Sequence, residues 1–190
     1  MVTAIMEPPK EIALARRAAS DPAAFASIYD HYFPRVYNYI RYRVRRADVT
    51  DDLTALTFER TLSRIDTFDP ERSAFPTWLF AIARHAVNDH MRARRRQRWV
   101  SLDWLRGRLG EAVPADEALI RKERKHRLLV AVDRLGQRER DILALKFGAG
   151  HTNRQISRLT GLTESNVGVI LHRAVRKLRN DLIDEERDDA

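Results

Sequence analysis

Apolar side chains recur at helical spacing over most of this chain, and no stretch shows the strict alternation of a half-buried strand. The first strong run opens at Asp21-Pro22, an N-cap followed by a first-turn proline. It continues through Phe25, Ile28, Tyr29, Tyr32, Phe33, Val36, Tyr37, Ile40 and Val44, with Pro34 placed to bend or split it. All five tyrosines of the chain lie between Tyr29 and Tyr42, a stripe that suits a core better than a functional surface. A second helix is predicted over Thr50–Ile65, with Asp51 and Asp52 in its first turn and Leu53, Leu56, Phe58 and Leu62 as apolar positions. Thr67–Pro76 reads as a loop, and Thr77–Arg94 as a third helix with Leu79, Ile82, Ala83, Ala86, Val87 and Met91 on one broad face.

The pattern lapses at Trp99. Ser, Gly and Pro without a sustained period predict a linker over 99–116, although Trp99, Leu102, Trp104 and Leu105 make it apolar enough to dock on something. Helical spacing resumes near Asp116 and runs to about Leu182, broken at Gly136, Gly148–Gly150 and Gly161. The expected fold class is therefore all-α: two small helical domains joined by a flexible linker. The expected division is an N-terminal extension over 1–20, a first domain over 21–98, the linker, a second domain over 117–182 and an acidic, frayed tail over 183–190.

The sharpest local pattern is His151–Leu182. Thr152 and Gln155 have capping-box spacing, so a short helix starts at Asn153 with Ile156 and Leu159 inward. Gly161 supplies a turn residue that tolerates positive φ, Leu162 plugs the angle, and Thr163 caps a longer helix. The inner face of that helix is Val167, Ile170, Leu171, Ala174 and Leu178. A short helix, a glycine turn and a longer helix form the arrangement of helix-turn-helix DNA readers. The outward positions would then be Ser165, Asn166, Gly168, Val169, His172, Arg173 and Arg176, residue types that contact base edges and phosphates. An ordinary helical hairpin with a solvated basic face fits the same spacing.

Charge adds to this picture. Thirty-five Lys and Arg against 27 Asp and Glu give a net +8, which favours a polyanionic partner. Arg84 to Arg98 holds six arginines and one Asp, and Arg92 and Arg95 share a face with Arg84 or Asn88 one turn away. Such a stripe neutralises phosphates, and the aromatics Phe68, Phe75, Trp78 and Phe80 just before it suit stacking on unpaired bases. Trp78 and Phe80 fit a core role better. The 190 residues contain no cysteine, which excludes disulfides, thiolate metal sites and cysteine nucleophiles. No P-loop, metal-spaced His/Asp/Glu set or nucleophile motif is present, so no enzyme chemistry, metal or cofactor is expected. No run is apolar enough to span a bilayer and Met1–Lys10 lacks signal-peptide character, so a cytoplasmic chain without membrane insertion is expected.

The run Phe75-Pro76-Thr77-Trp78-Leu79-Phe80-Ala81-Ile82-Ala83-Arg84, with Asn88-Asp89 and Arg92, resembles the promoter-melting segment of extracytoplasmic-function sigma factors of the sigma-70 class. Thr50-Asp51-Asp52-Leu53 with Thr57-Phe58 resembles their polymerase-binding helix. Leu135 with Arg138-Glu139-Arg140-Asp141, and the helix pair ending Leu171-His172-Arg173-Ala174 with Lys177-Leu178-Arg179, resemble their second domain. The resemblance covers about Phe25–Arg98 and Leu128–Leu182, in the family's order.

That resemblance implies a sigma factor that binds core RNA polymerase through its β′ coiled coil and β subunit. The β′ contact would use Asp51, Asp52, Leu53, Thr54, Thr57, Phe58 and Thr61. The loop with Phe68, Asp69, Arg72, Ser73 and Phe75 would capture a flipped base of the −10 element. Trp78, Arg84, His85, Asn88, Arg92 and Arg95 would then hold strand and duplex. Thr163, Ser165, Asn166, Gly168, Val169, His172, Arg173 and Arg176 would read the −35 element. Promoter DNA would be bound both as duplex and as single strand, and an anti-sigma factor is a partner the family admits. The sequence departs from the family at Ala55 and Leu56, where Gln and an acidic residue are usual, at His85 for Asn, and at Gly168 and Val169 for Lys and Ser. A helix-turn-helix regulator acting without polymerase is the alternative, and it leaves the aromatic-arginine segment without a role.

Overall fold

The computed structural model describes the backbone of residues 8–100 and 127–188 and the side chains of 10–96 and 127–183. The predicted linker over 99–116 lies outside the described residues beyond Val100, as does the resumption of helix near Asp116. The described residues are helical with short connections and contain no strand.

The chain folds earlier than its apolar pattern suggests. Helix α1, Pro8–Ala18, occupies part of the stretch read as an extension. Its inner face is Glu11, Ala15 and Ala18, too small and too polar to stand out as an apolar stripe. The buried Glu11 accepts a hydrogen bond from the Tyr32 hydroxyl, and its burial raises the carboxyl above the usual range.

Helix α2, Pro22–Val44, starts where predicted, with the Asp21 carboxylate accepting from the Ala23 N–H at 2.9 Å. It runs unbroken through Pro34, which neither splits nor ends it. Pro34 is on the exposed side, as is Asp30 one turn earlier, whose unmatched carbonyl can be hydrated. Tyr32, Val36, Tyr39 and Ile40 are fully buried, whereas Tyr29 and Tyr42 are exposed, so the tyrosine stripe divides between core and surface. Helix α3, Ala47–Leu62, starts one turn before the predicted Thr50. A loop over 68–74 leads into α4, Phe75–Val100, whose buried face is Phe75, Leu79, Phe80, Ile82, Ala83, Ala86 and Val87.

In the C-terminal half, helical backbone over 127–133 (α5) precedes α6, Gln137–Leu143. The chain then widens into a turn over Ala144–Gly148, with the Ala149 N–H donating to the Ala144 carbonyl. Helix α7, Asn153–Thr160, and helix α8, Glu164–Asp188, complete the half. The tail expected to fray from 183 stays helical to Asp188.

The two halves are packed against each other and share one continuous apolar core that includes Tyr39, Phe80, Leu145, Ala149 and Ile156. Gly148 lies directly on α2, where an added Cβ would sit 2.8 Å from the Tyr42 ring and 3.3 Å from the Asn38 carbonyl. A wider turn ending in a residue with no side chain is what lets this segment approach a helix so closely. His151 fills the seam beside it, edge-on to Phe80 at a centroid distance of 4.4 Å.

His151 is 1% exposed and its Nε2 has no hydrogen-bond partner. Burial, with the Arg35 charge nearby, pushes the imidazole from 6.5 down to about 4. The unfolded chain therefore takes up this proton first, so stability is complete above pH 6.5 and falls as the pH drops towards 4. The His151 contribution to that loss is roughly 3 kcal/mol. Urea unfolding at pH 7 and pH 4 should show it in the wild type, and His151→Phe should remove this part of the difference.

Candidate nucleic-acid interface

Helices α7 and α8 meet through the devices their sequence encodes. The Thr152 hydroxyl accepts from the Gln155 N–H, while the Gln155 side-chain oxygen Oε1 accepts from the Thr152 N–H at 2.9 Å. Gly161 has φ +72°, the left-handed region that favours glycine. The Ser157 hydroxyl donates to the Leu162 carbonyl at 2.6 Å, and the Thr163 hydroxyl accepts from the Asn166 N–H to cap α8. Val167, Leu171 and Ala174 are buried, with Ile170 and Leu178 packed on the same core.

This leaves a free outer face. Thr163, Ser165, Asn166, Val169, His172, Arg173 and Arg176 are exposed and Gly168 half-exposed. Ser165, Gly168, Val169, His172, Arg173 and Arg176 line one shallow depression on it. Asn166 sits in the first turn, and Arg176 lies ten residues on, about 15 Å along the axis. Polar groups near the helix start and cations further along match the division between base edges and phosphates in major-groove readers.

The N-terminal half carries a second basic face. His85, Arg92 and Arg95 on α4 are exposed and Asn88 is half-buried beside them. In the preceding loop Asp69 and Arg72 are exposed, and Asp69 accepts from the Glu71 N–H at 2.9 Å to hold a tight turn. Ser73, Phe68 and Trp78 are half-buried. Phe68 meets Phe75 edge-on at 5.2 Å and lies 5.5 Å from Trp78. Phe75 itself is 1% exposed and packs on Tyr32, so it supports the loop from beneath and cannot stack on a base. Phe80 is wholly buried.

Arg84 is placed differently from the rest of its stripe. Its Nε donates to the Asp141 carboxylate at 2.8 Å and its Nη1 to the Leu159 carbonyl at 2.5 Å. Asp141, nearly buried, also accepts from the Tyr39 hydroxyl at 2.9 Å and pairs with Arg43 Nε at 3.2 Å. Desolvation, reinforced by the Asp141 charge, raises the Tyr39 phenol, so it stays a neutral donor. Tyr39, Arg43 and Asp141 are missing from any sequence-based set, because they meet over 57 to 102 residues of separation from their partners and no local spacing announces them.

Helix α3 shows what its composition hides. Thr50, Thr54, Thr57 and Thr61 are all buried, and each hydroxyl donates at 2.7 Å to the carbonyl four residues before it. Leu53 and Phe58 are buried with them. The outer face is Asp48, Asp51, Asp52, Ala55 and Glu59, with Leu62 exposed at its end.

Comparison with known proteins fixes the relationship. Residues 28–97 match the model of sigma-70 region 2, and residues 125–178 match that of sigma-70 region 4. The chain belongs to the extracytoplasmic-function sigma-70 family. The sigma factor BldN of Streptomyces coelicolor is 35% identical over 90% of this chain, which spans 65% of that relative's length. The sigma factor SigX of Bacillus subtilis is 29% identical over 85% of this chain and 86% of its own. The fold is shared with the sigma factor RpoE of Bartonella quintana, solved in complex with the anti-sigma factor NepR: TM-score 0.67, 20% identity, 83% of this chain and 96% of that one.

For this sigma-70 family member, two corrections to the sequence-derived sets follow from burial. Leu53, Thr54, Thr57, Phe58 and Thr61 turn into the fold and leave Asp51 and Asp52, joined by Asp48 and Glu59, on the exposed face of α3. Phase explains it: Thr50, Thr54, Thr57 and Thr61 recur at helical spacing with Leu53 and Phe58, and that spacing was the signal available in the sequence. Phe75 leaves the base-stacking set for the core. Arg84 stays in the polar set but is held by the other half.

Gly161→Ala tests the turn on which the α8 face depends. A Cβ at φ +72° meets no neighbour, so the cost is backbone strain alone, about 1 kcal/mol. Thermal unfolding should show that loss, with the secondary structure retained.

Proposed function

We propose that this chain binds core RNA polymerase and directs promoter-specific transcription initiation, α8 reading the −35 element and the 68–74 loop with α4 engaging and opening the −10 element. One observation carries the reading. A chain with sigma-70 regions 2 and 4 in order presents two separate exposed polar and basic faces, one on a capped helix and one on an arginine-lined helix behind a half-buried aromatic pair. Phe68 and Trp78 supply the platform for an unpaired base, and Arg92 and Arg95 the phosphate contacts. The acidic outer face of α3 is the polymerase contact. The factor is regulatory and DNA-binding, acts in the cytoplasm where polymerase and promoter are, and is open to control by an anti-sigma partner, as in the Bartonella quintana complex. Among the described residues no helix is long and apolar enough to cross a membrane.

Run-off transcription with purified core polymerase on genomic promoter fragments tests this reading directly. Initiation should depend on the chain and on −35 and −10 sequences, and a chain that binds DNA but never supports initiation would be a regulator acting alone. Asp51→Lys with Asp52→Lys should weaken core binding several-fold without altering the helical content, because both side chains are exposed.

The α8 face makes a finer prediction. Asn166→Ala should relax preference at one or two −35 positions, by about 1–3 kcal/mol of discrimination. Arg176→Ala should instead weaken all sequences alike and flatten the salt dependence. Binding to a randomised −35 library separates them; an unchanged preference for Asn166→Ala removes that residue from the reading set.

A further inference from the structure

The cluster around Asp141 has the make-up of an anion site assembled by one half of the molecule and filled by the other. Tyr39 and Arg43 come from α2 and Arg84 from α4, so the donors share a scaffold that the C-terminal half does not build. Arg43 and Tyr39 are buried at 5% and 0% exposure. Arg43 Nη2 donates to the Asn88 amide oxygen at 3.5 Å, while its Nε, 3.2 Å from Asp141, and its Nη1 have no hydrogen bond of good geometry. Two guanidiniums and a neutral phenol thus converge on one carboxylate, with hydrogen-bonding capacity to spare.

Guanidinium groups bind carboxylate and phosphate oxygens by the same geometry. The site also continues an existing track. Arg84, Asn88, Arg92 and Arg95 follow one another at helical spacing along α4, so the residues around Asp141 are the inner end of the line that already faces outward at Arg92 and Arg95. We propose that Tyr39, Arg43 and Arg84, with Asn88 beside them, form a phosphodiester-binding subsite of the N-terminal half, and that Asp141 fills it in the free chain as an internal substitute for a phosphate. This rests on the nucleic-acid reading above. Closure is reinforced elsewhere along the seam: Arg35 Nε donates to the Ala149 carbonyl at 2.8 Å, Arg45 Nη1 to the Leu129 carbonyl at 2.6 Å, and Gly148 lies on α2. Nucleic acid and Asp141 therefore compete for one set of donors, and the closed state lowers the apparent affinity for DNA by the fraction of molecules it holds.

The chain contains no cysteine, so Asp66→Cys and Asn180→Cys, both at exposed positions, allow a dye to be placed in each half of the full-length protein. Energy transfer then reports closure, and a short single-stranded DNA oligonucleotide is the probe. Asp141→Ala removes the internal anion, and Gly148→Leu pushes the halves apart without touching the subsite. Both should lower energy transfer and tighten oligonucleotide binding by about tenfold, and adding Arg43→Ala to either should abolish the gain. Helical content measured by circular dichroism identifies any variant that fails to fold, and the two opening variants act through different elements. Opening by Gly148→Leu with no gain in binding, or a gain that survives Arg43→Ala, overturns the subsite. Unchanged energy transfer and affinity in a folded Asp141→Ala chain overturns Asp141 as its occupant. If the variants open but bind no promoter DNA even together with core polymerase, the nucleic-acid reading fails; if promoter fragments bind normally with core polymerase and only the Arg43-dependent gain is missing, the subsite alone fails.

Discussion

A carboxylate withdrawn from water needs charge and hydrogen-bond donors, and Asp141 finds both on the opposite half of the chain. Tyr39, Arg43 and Arg84 supply them within 3.2 Å. Removing one partner of such a buried pair typically costs roughly 3–5 kcal/mol, because the other is left uncompensated. That asymmetry makes the relation between the halves specific. Apolar contact across the seam would tolerate sliding, whereas a carboxylate gripped from two helices fixes the register of α6 against α2 and α4. Arg84 extends the grip to the end of α7 through the Leu159 carbonyl, so the α7–α8 pair is oriented by the same side chain.

Close approach is the second constraint, and it operates through small groups. In α3 the buried threonines satisfy their own hydroxyls on the preceding turn, so they pack inward without needing a partner from another helix. In α1 the alanines do the same by having nothing to satisfy. At the seam Gly148 lets backbone meet backbone. Each device thins one face of an element and leaves the opposite face free to carry charge.

The legible parts of the sequence were those with short-range causes. The α7–α8 pair could be read nearly residue by residue, because a capping box, a positive-φ glycine and an apolar stripe are all local. Helices α2 and α4 followed from their periodicity, with starts displaced by no more than a turn, while α4 runs on six residues past the predicted Arg94 to Val100. Helix α1 escaped because its inner face is alanine and a protonation-prone glutamate rather than large apolar residues. The burial of the α3 threonines follows from helical phase, whereas Phe75 falls in a stretch that reads as loop, where its burial has no local signal. The Asp141 cluster had no local signature: within Arg138-Glu139-Arg140-Asp141 it looks like one more solvated charge, and only tertiary packing separates it from its neighbours.

The distribution of charge over the surface now has a physical consequence for the order of events. Helix α3 presents Asp48, Asp51, Asp52 and Glu59, whereas α4 presents Arg92 and Arg95 and α8 presents Arg173 and Arg176. An acidic face is repelled by DNA, so on the proposed reading it serves a protein partner and the basic faces serve nucleic acid. Closure does not affect these faces equally. It leaves the acidic face of α3 and the outer face of α8 exposed, but engages Arg84 and buries Arg43 at the inner end of the α4 track. On the proposed reading, polymerase and duplex can therefore be engaged before the halves part, and full contact with the −10 strand comes only after Asp141 has been displaced. Binding energy from the faces already exposed is then available to offset the loss of the Asp141 contacts, which ties opening of the molecule to its having found a partner.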